Sequence, residues 1–342
     1  MVVAELIAPR QFRFVERPLP DLQPGEVRVR VQAVGICGSD LHSYSEGAVG
    51  DTPCQYPMVL GHEPAGVVAA VGAGVTGWSP GDRAALEPAL YCYHCEPCRS
   101  GRHNICANIR FLSTPGHPGF FREYVDLPAA NLLGIPGAMP METATVVEPL
   151  AVALHSLRFA AVAIGETAVV FGAGPIGLLT VACLKLAGAG RVWVVEPVAH
   201  RREIARLMGA DEALDSAALD AARQVRADTG GRGVDCAIDC AARAQTTNQA
   251  IQCVRNGGRV VLTGIHSQVM VPFDTSPLRR KEVALFSVRR SNHESETALR
   301  LLVEQAARFA PLITHTRPLE KIAEAVHIAE HCADGVGKMI VV

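Results

Sequence analysis

Neither sign of charge dominates this chain, and no long apolar run crosses it. Its 342 residues include 32 basic and 34 acidic side chains, a formal charge of -2 with neither sign gathered into a run. So balanced a surface carries no electrostatic footprint for nucleic acid or anionic lipid, and a zinc-ribbon nucleic-acid module is not expected. The longest uncharged window, Thr167 to Leu184, is interrupted by Gly172-Ala-Gly-Pro-Ile-Gly177 and reads as a buried strand, a turn and a helix, not a membrane span. No basic segment followed by an apolar core opens the sequence, so no signal peptide is expected and the mature chain is expected to begin at Met1. Repeats, low-complexity tracts and flexible linkers are likewise missing. What remains is a soluble globular protein, expected to form two domains because 342 residues exceed what one core usually supports. A reducing, cytoplasmic location suits its 11 cysteines, an odd number without scaffold-like spacing outside one cluster.

That cluster is Cys92-x2-Cys95-x2-Cys98-x7-Cys106. One short loop can turn four sulfurs toward a common centre, and four thiolates around tetrahedral Zn2+ leave no position for water or substrate. Unrelated cysteines or a pair of disulfides would not need this spacing. Such a site is structural, so the chemistry is expected elsewhere. His94 and His103 lie inside the lobe, but four thiolates already fill the tetrahedron. The remaining cysteines, among them Cys183, Cys236 and Cys253, sit in apolar or small-residue settings as core residues.

Hydrophobic periodicity changes along the chain. Val27 to Val34 alternates apolar and polar residues, the pattern of a half-buried strand, and Pro and Gly recur at short intervals through residues 1–150. This half is predicted to be mostly β. From Thr167, apolar runs such as Ala168–Phe171, Val192–Val195 and Val260–Leu262 alternate with helical patterns, which indicates a parallel sheet covered on both faces. A strand at 283–288, a helix at 296–307 and a final apolar stretch complete the chain.

Gly172-Ala-Gly174-Pro175-Ile176-Gly177 follows an apolar strand and opens the helical run 175–187, while Glu196 ends the next strand nineteen residues on. In that context the glycines allow a tight turn, the helix N-terminus receives a pyrophosphate, and the carboxylate meets the adenosine ribose. Glu196 would repel a 2'-phosphate, so NAD is preferred over NADP, although Arg201 and Arg202 lie close enough to bear on that choice.

Two further segments, Gly35-Ile-Cys37-Gly-Ser39-Asp40-Leu-His42 and Gly61-His62-Glu63-Pro-Ala-Gly66, supply a thiolate, an imidazole and carboxylates. With Gly61-His62-Glu63-x2-Gly66-x5-Gly72-x2-Val75, the four-cysteine lobe and the glycine loop in this order, the chain resembles the zinc-dependent medium-chain dehydrogenases from end to end. The resemblance implies an α/β fold: a Rossmann doubly wound parallel sheet at 151–287, and a mostly β, GroES-like catalytic domain at 1–150 and 288–342 with its zinc lobe at 91–107. It further implies two Zn2+ per subunit, NAD, an alcohol as small-molecule substrate, and a homo-oligomer, dimer or tetramer.

Residue by residue, the resemblance makes Cys37 and His62 ligands of the catalytic zinc. Glu148, in Val147-Glu148-Pro149, stands where ethanol-oxidising relatives have a cysteine, which points to the polyol, threonine and butanediol branch. Glu63 and Glu148 are both candidates for the third ligand. Ser39 matches the hydroxyl that takes the alcohol's proton, His42 the outer end of the relay, and Asp40 a residue that orients the metal-bound imidazole. Thr263 and Ile265 match the turn that meets the nicotinamide amide. Arg289 resembles an arginine that contacts polyol, and Phe111 a pocket wall, whereas Ser43 and Arg290 each replace an aromatic residue. The expected reaction is oxidation of a secondary alcohol, on a polyol, sugar or sugar acid, to a ketone. L-threonine 3-dehydrogenase or butanediol dehydrogenase chemistry is the alternative within the family, and a non-catalytic, crystallin-like cofactor-binding protein the alternative outside it.

Overall fold

A computed structural model describes residues 1–342. The alternating segment Glu26–Gly35 forms the central strand of a seven-stranded sheet. Glu63–Val71, Arg83–Leu86 and Leu132–Gly134 follow in order on one side, while Lys338–Val341 and Ile313–Arg317 lie on the other; Tyr124–Pro128 also pairs with the central strand. The chain therefore returns to its first sheet at its end, with Ile340 opposite Gly35 and Val341 opposite Val34. Before residue 147 no helix exceeds the eight residues of Gly38–Ser45, in keeping with the density of Pro and Gly there.

A second sheet holds six parallel strands in the order Glu212–Leu214, Arg191–Val195, Thr167–Phe171, Val234–Asp239, Val254–Leu262 and Ala284–Ser287. Strand order reverses between Thr167–Phe171 and Val234–Asp239, and the ends of strands at such a reversal form the crevice where doubly wound sheets bind ligands. Ala168 to Phe171 are fully buried, as expected of strands covered on both faces.

One helix, Val147–Ala160, joins the two parts. Its Leu150, Ala151, Ala153 and Ala160 belong to a core cluster that takes Ala33 and Ala65 from the first sheet and Val170, Val194 and Ile238 from the second. Burying about 25 cal/mol per Å2 of apolar surface along this helix favours a fixed arrangement of the sheets at its N-terminal end. That end carries Glu148.

Candidate active site and metal centres

Adjacent strands of the first sheet bring the ligand candidates together. Gly35 on the central strand pairs with Glu63 at the start of the next one. Cys37 caps the helix Gly38–Ser45, and His62 immediately precedes the strand Glu63–Val71. Cys37, His62 and Glu63 each offer a ligand atom within 4.8 Å of the others. A Cβ on Gly35 would stand 2.0 Å from Glu63 Oε2, so only glycine allows the carboxylate to lie there. Glu148 falls outside this tight group.

Asp40 determines how His62 is presented. Its carboxylate accepts the backbone N–H of Cys37 at 3.0 Å and of Gly61 at 3.1 Å, and the Ser113 hydroxyl at 3.2 Å. Asp40 Oδ1 lies 3.4 Å from His62 Nδ1, which leaves Nε2 facing the cluster and 3.5 Å from Ser39 Oγ. Burial works to raise the Asp40 carboxyl, but His62 and the two backbone N–H groups outweigh it and hold it below the ordinary carboxylate value. A half-buried thiolate converging with a buried imidazole and carboxylate, one imidazole nitrogen free, suits Zn2+ and few other occupants.

Around this group lie further charges. Burial pushes the Glu148 carboxyl up to about 7, Glu63 and Glu87 adding to the rise while His62 and Lys338 oppose it. Glu63 forms a buried ion pair with Lys338, whose Nζ also donates to the Ile36 carbonyl at 2.9 Å. Phe111 has its ring centroid 5.5 Å from that of His62, and the Arg290 guanidinium stacks on Phe111 at 4.0 Å. Arg289 is exposed, and Ser43 is buried in the helix behind Cys37. His42 is half-buried and pairs with Glu46 at 2.9 Å.

The four lobe cysteines also group within 4.8 Å, around the short helix Glu96–Arg99, and all eleven cysteines are free thiols. Backbone N–H groups of Cys95 and Cys92 approach the sulfurs of Cys92 and Cys106 at 3.4 and 3.5 Å, a polar shell suited to thiolates on a metal. The lobe is tied to the rest of the molecule through Asn104 and Asn292. Asn104 Nδ2 donates to the Arg289 carbonyl at 2.9 Å and approaches His155 Nε2 at 3.4 Å, while His155 Nδ1 lies 3.0 Å from Glu294. Asn292 accepts from the His103 N–H and donates to the Gly101 carbonyl, both at 2.9 Å.

At the second sheet's crevice, Gly174 caps the helix Pro175–Leu186, and Ile176 follows in its first turn. A Cβ on Gly177 would lie 1.9 Å from the Gly172 carbonyl oxygen, so glycine is required for the turn to close on the helix. Glu196 is buried and accepts the N–H groups of Ala173 at 2.7 Å and Val198 at 3.0 Å. Arg201 is half-buried with Nε unpartnered, whereas Arg202 is engaged with Asp215. Thr263 donates its hydroxyl to Ser156, on the helix that carries Glu148, at 3.0 Å, and Ile265 is 52% exposed. Asp239, the last residue of the strand Val234–Asp239, accepts Ala241 and Ala242 N–H groups and the hydroxyls of Thr246 and Thr247.

Two family descriptions cover this arrangement: "Alcohol dehydrogenase GroES-like domain" matches residues 23–137 and "Zinc-binding dehydrogenase" residues 175–304. Sorbitol dehydrogenase of Bacillus subtilis (strain 168) is 34% identical over 320 residues, covering 94% of this chain and 91% of that protein. The chain belongs to the zinc-binding dehydrogenase family. Among solved structures, an alcohol dehydrogenase from E. coli CFT073 complexed with NADH superposes on this dehydrogenase with a TM-score of 0.91 at 31% identity, over 100% of this chain and 98% of that one. Galactitol-1-phosphate dehydrogenase from Escherichia coli gives 0.90 at 29% identity, over 100% and 99%. The enzyme is thus an oxidoreductase that uses zinc and a nicotinamide cofactor, and no helix in it is long and apolar enough to cross a membrane.

Several residues of this dehydrogenase's site carry no motif. Lys338 left one trace, a lone lysine in the apolar run 336–342, since a buried charge needs a partner. The Asn104, His155, Glu294 and Asn292 network left none, because its members come from three separated segments.

Proposed function

We propose that the enzyme oxidises a secondary alcohol on a polyol, sugar or sugar acid to the ketone, with NAD as hydride acceptor. The observation that carries this reading is the convergence of Cys37, His62 and Glu63 within 4.8 Å, on the side of the molecule joined by helix Val147–Ala160 to the crevice carrying Gly172 to Gly177. A structural cofactor-binding protein has no need of such a group. The polyol branch is supported by Glu148 at the junction and by the likeness to sorbitol dehydrogenase.

In this reading Cys37, His62 and either Glu63 or Glu148 hold the catalytic zinc, and Cys92, Cys95, Cys98 and Cys106 the structural one. Zn2+ with an open position supplies Lewis acidity that makes a hydroxyl acidic near neutral pH. Asp40 fixes the His62 ring. Ser39, in the first turn of its helix, receives the hydroxyl proton, and His42, one turn on and so on the same face, passes it toward solvent beside Glu46. Glu148, at the N-terminal end of the connecting helix, would be the second carboxylate beside the metal, able to take the ligand place that Glu63 leaves. Nicotinamide bound in the crevice would supply the hydride acceptor, so that loss of the hydroxyl proton through Ser39 and of the carbon's hydrogen with its electron pair would leave the ketone. Gly172, Gly174, Pro175, Ile176 and Gly177 present backbone to the pyrophosphate, Glu196 favours NAD, Arg201 borders the ribose, and Thr263 and Ile265 meet the nicotinamide end. The reading also makes the enzyme cytoplasmic, which fractionation would check, and a homo-oligomer, which light scattering would check.

NADH formation from polyols, aldonates, threonine and diols, before and after chelation, tests the reading. Turnover on a polyol or aldonate that chelation removes supports it. Turnover only on threonine or a vicinal diol moves the enzyme to the neighbouring branch, and none on any of them with two zincs bound overturns it.

A further inference from the structure

We propose that Arg290 is an anion-recognising residue of the substrate pocket, so that the alcohol this enzyme oxidises carries a carboxylate or phosphate group. The inference rests on the oxidoreductase reading above and narrows its substrate.

The Arg290 guanidinium lies 4.0 Å over the Phe111 ring, and Phe111 in turn stands beside the His62 imidazole. The cation is therefore separated from the zinc ligand by the width of one aromatic side chain, a gap that a few hydroxylated carbons span. Arg289, by contrast, is exposed and engages the lobe through its carbonyl.

The guanidinium is also unpaired. Arg290 Nη1 is buried and has no hydrogen-bond partner. Glu148 and Tyr91 reach it only through their fields, and burial with Arg289 alongside lowers it to about 10. Arg290 is half-buried as a whole, but a guanidinium nitrogen shut off from water without an acceptor is costly, and proteins retain one where a ligand completes it. Stacking on Phe111 holds the plane of the fork while leaving its N–H edge unused, and that edge matches the two oxygens of a carboxylate or phosphate.

Its backbone is constrained as well. Arg290 adopts φ +54°, an unusual conformation for a branched-free but bulky residue. Asn104 fixes the carbonyl before it and Asn292 anchors the chain two residues later. Such local strain persists where surrounding structure over-determines it, often in ligand clamps.

The test uses the zinc-loaded full-length enzyme with NAD and three substrates sharing one carbon skeleton: a neutral alditol, the aldonate and the alditol phosphate. The parent is expected to favour at least one anionic member over the neutral one, and the two anionic arms identify which anion is read. R290Q is expected to lower the anionic-over-neutral ratio of kcat/KM by roughly tenfold to hundredfold, chiefly through KM. R290K, a point charge without the fork, is expected to restore only part of it. An unchanged ratio in R290Q overturns the proposal, as does an equal loss on all three substrates with a displaced pH profile, which would mean that Arg290 acts through Glu148. Calorimetric binding of the aldonate and the alditol phosphate to the NADH complex separates this inference from the reading beneath it. Binding lost in R290Q without turnover of any substrate would leave the anion site standing and sink the oxidation reading. Turnover of the neutral alditol with no anion binding, or with equal binding by R290Q, would do the reverse, and neither turnover nor binding would sink both.

Discussion

Lys338 and Glu63, one from the last strand and one from the second strand of the first sheet, form an ion pair in which both side chains are 1% exposed. The carboxylate thus has a cation partner before any metal arrives. K338M removes that partner, and an unpaired buried carboxylate costs about 3–5 kcal/mol. Bound zinc provides another positive charge beside Glu63, so the loss of stability is expected to be larger in metal-free protein than in zinc-loaded protein. Denaturant midpoints of both forms check this; equal losses would show that the metal does not meet Glu63.

Cys37 and Cys95 belong to groups with different expected consequences. C37S is expected to bind one zinc per chain instead of two and to lose about 100-fold or more in turnover, because the Lewis acid is worth several kcal/mol. C95S is expected to lose the other zinc and to be less stable. Since Asn104 in the lobe holds the Arg289 carbonyl at 2.9 Å, C95S is also expected to raise KM through the displaced segment 289–292. Metal analysis alongside steady-state kinetics on both variants distinguishes the two sites.

Local patterning made the elements legible. The alternation of Val27 to Val34 became the strand Glu26–Gly35, and the run before Gly172 became Thr167–Phe171, because periodicity reports directly on which faces are buried. Close-spaced chemistry was equally readable, as in the four lobe cysteines. What stayed hidden depends on partners far apart in sequence: Lys338 with Glu63, or Asn104 with His155 and Glu294. Arg289 and Arg290 show the limit most sharply. Two identical neighbours differ in placement: Arg290, at φ +54°, lies against Phe111 while Arg289 is exposed, which no spacing encodes.

Asp235 links the first and fourth strands of the chain's parallel sheet and makes stability depend on pH. Its carboxylate accepts Thr167 N–H at 2.9 Å and hydroxyl at 2.8 Å, and pairs with Arg232 at 2.5 Å and Arg255 at 2.6 Å. Burial alone would raise its carboxyl, but these donors hold it well below the ordinary value. A lowered folded value means stability that is fully present above the unfolded value of about 3.9 and lost as pH falls through the folded one. D235N is expected to cost about 1–3 kcal/mol at neutral pH. Parent and variant denaturation midpoints should begin to converge as pH falls below about 3.9 and meet only once it has passed the lowered folded value; a constant gap through the whole acid range would show that the pairing, not the charge, stabilises the strand ends.

Glu196 has two tasks that one substitution separates. Its carboxylate takes the Ala173 N–H inside the glycine loop at 2.7 Å and the Val198 N–H at 3.0 Å, so it braces the loop, and in the proposed function it also faces the ribose. E196Q keeps one carbonyl oxygen but turns an amide N–H2 toward the second donor and removes the charge that repels a 2'-phosphate. KM for NAD is expected to rise about tenfold, the effect of losing one charge-assisted bond. Turnover with NADP is expected to improve at the same time, because Arg201, whose Nε is buried without a partner, lies five residues away and can meet the phosphate. The double variant E196Q/R201A should lose that gain while keeping the raised KM for NAD. If E196Q weakens both cofactors equally, Glu196 only braces the loop, and cofactor choice lies elsewhere in the crevice.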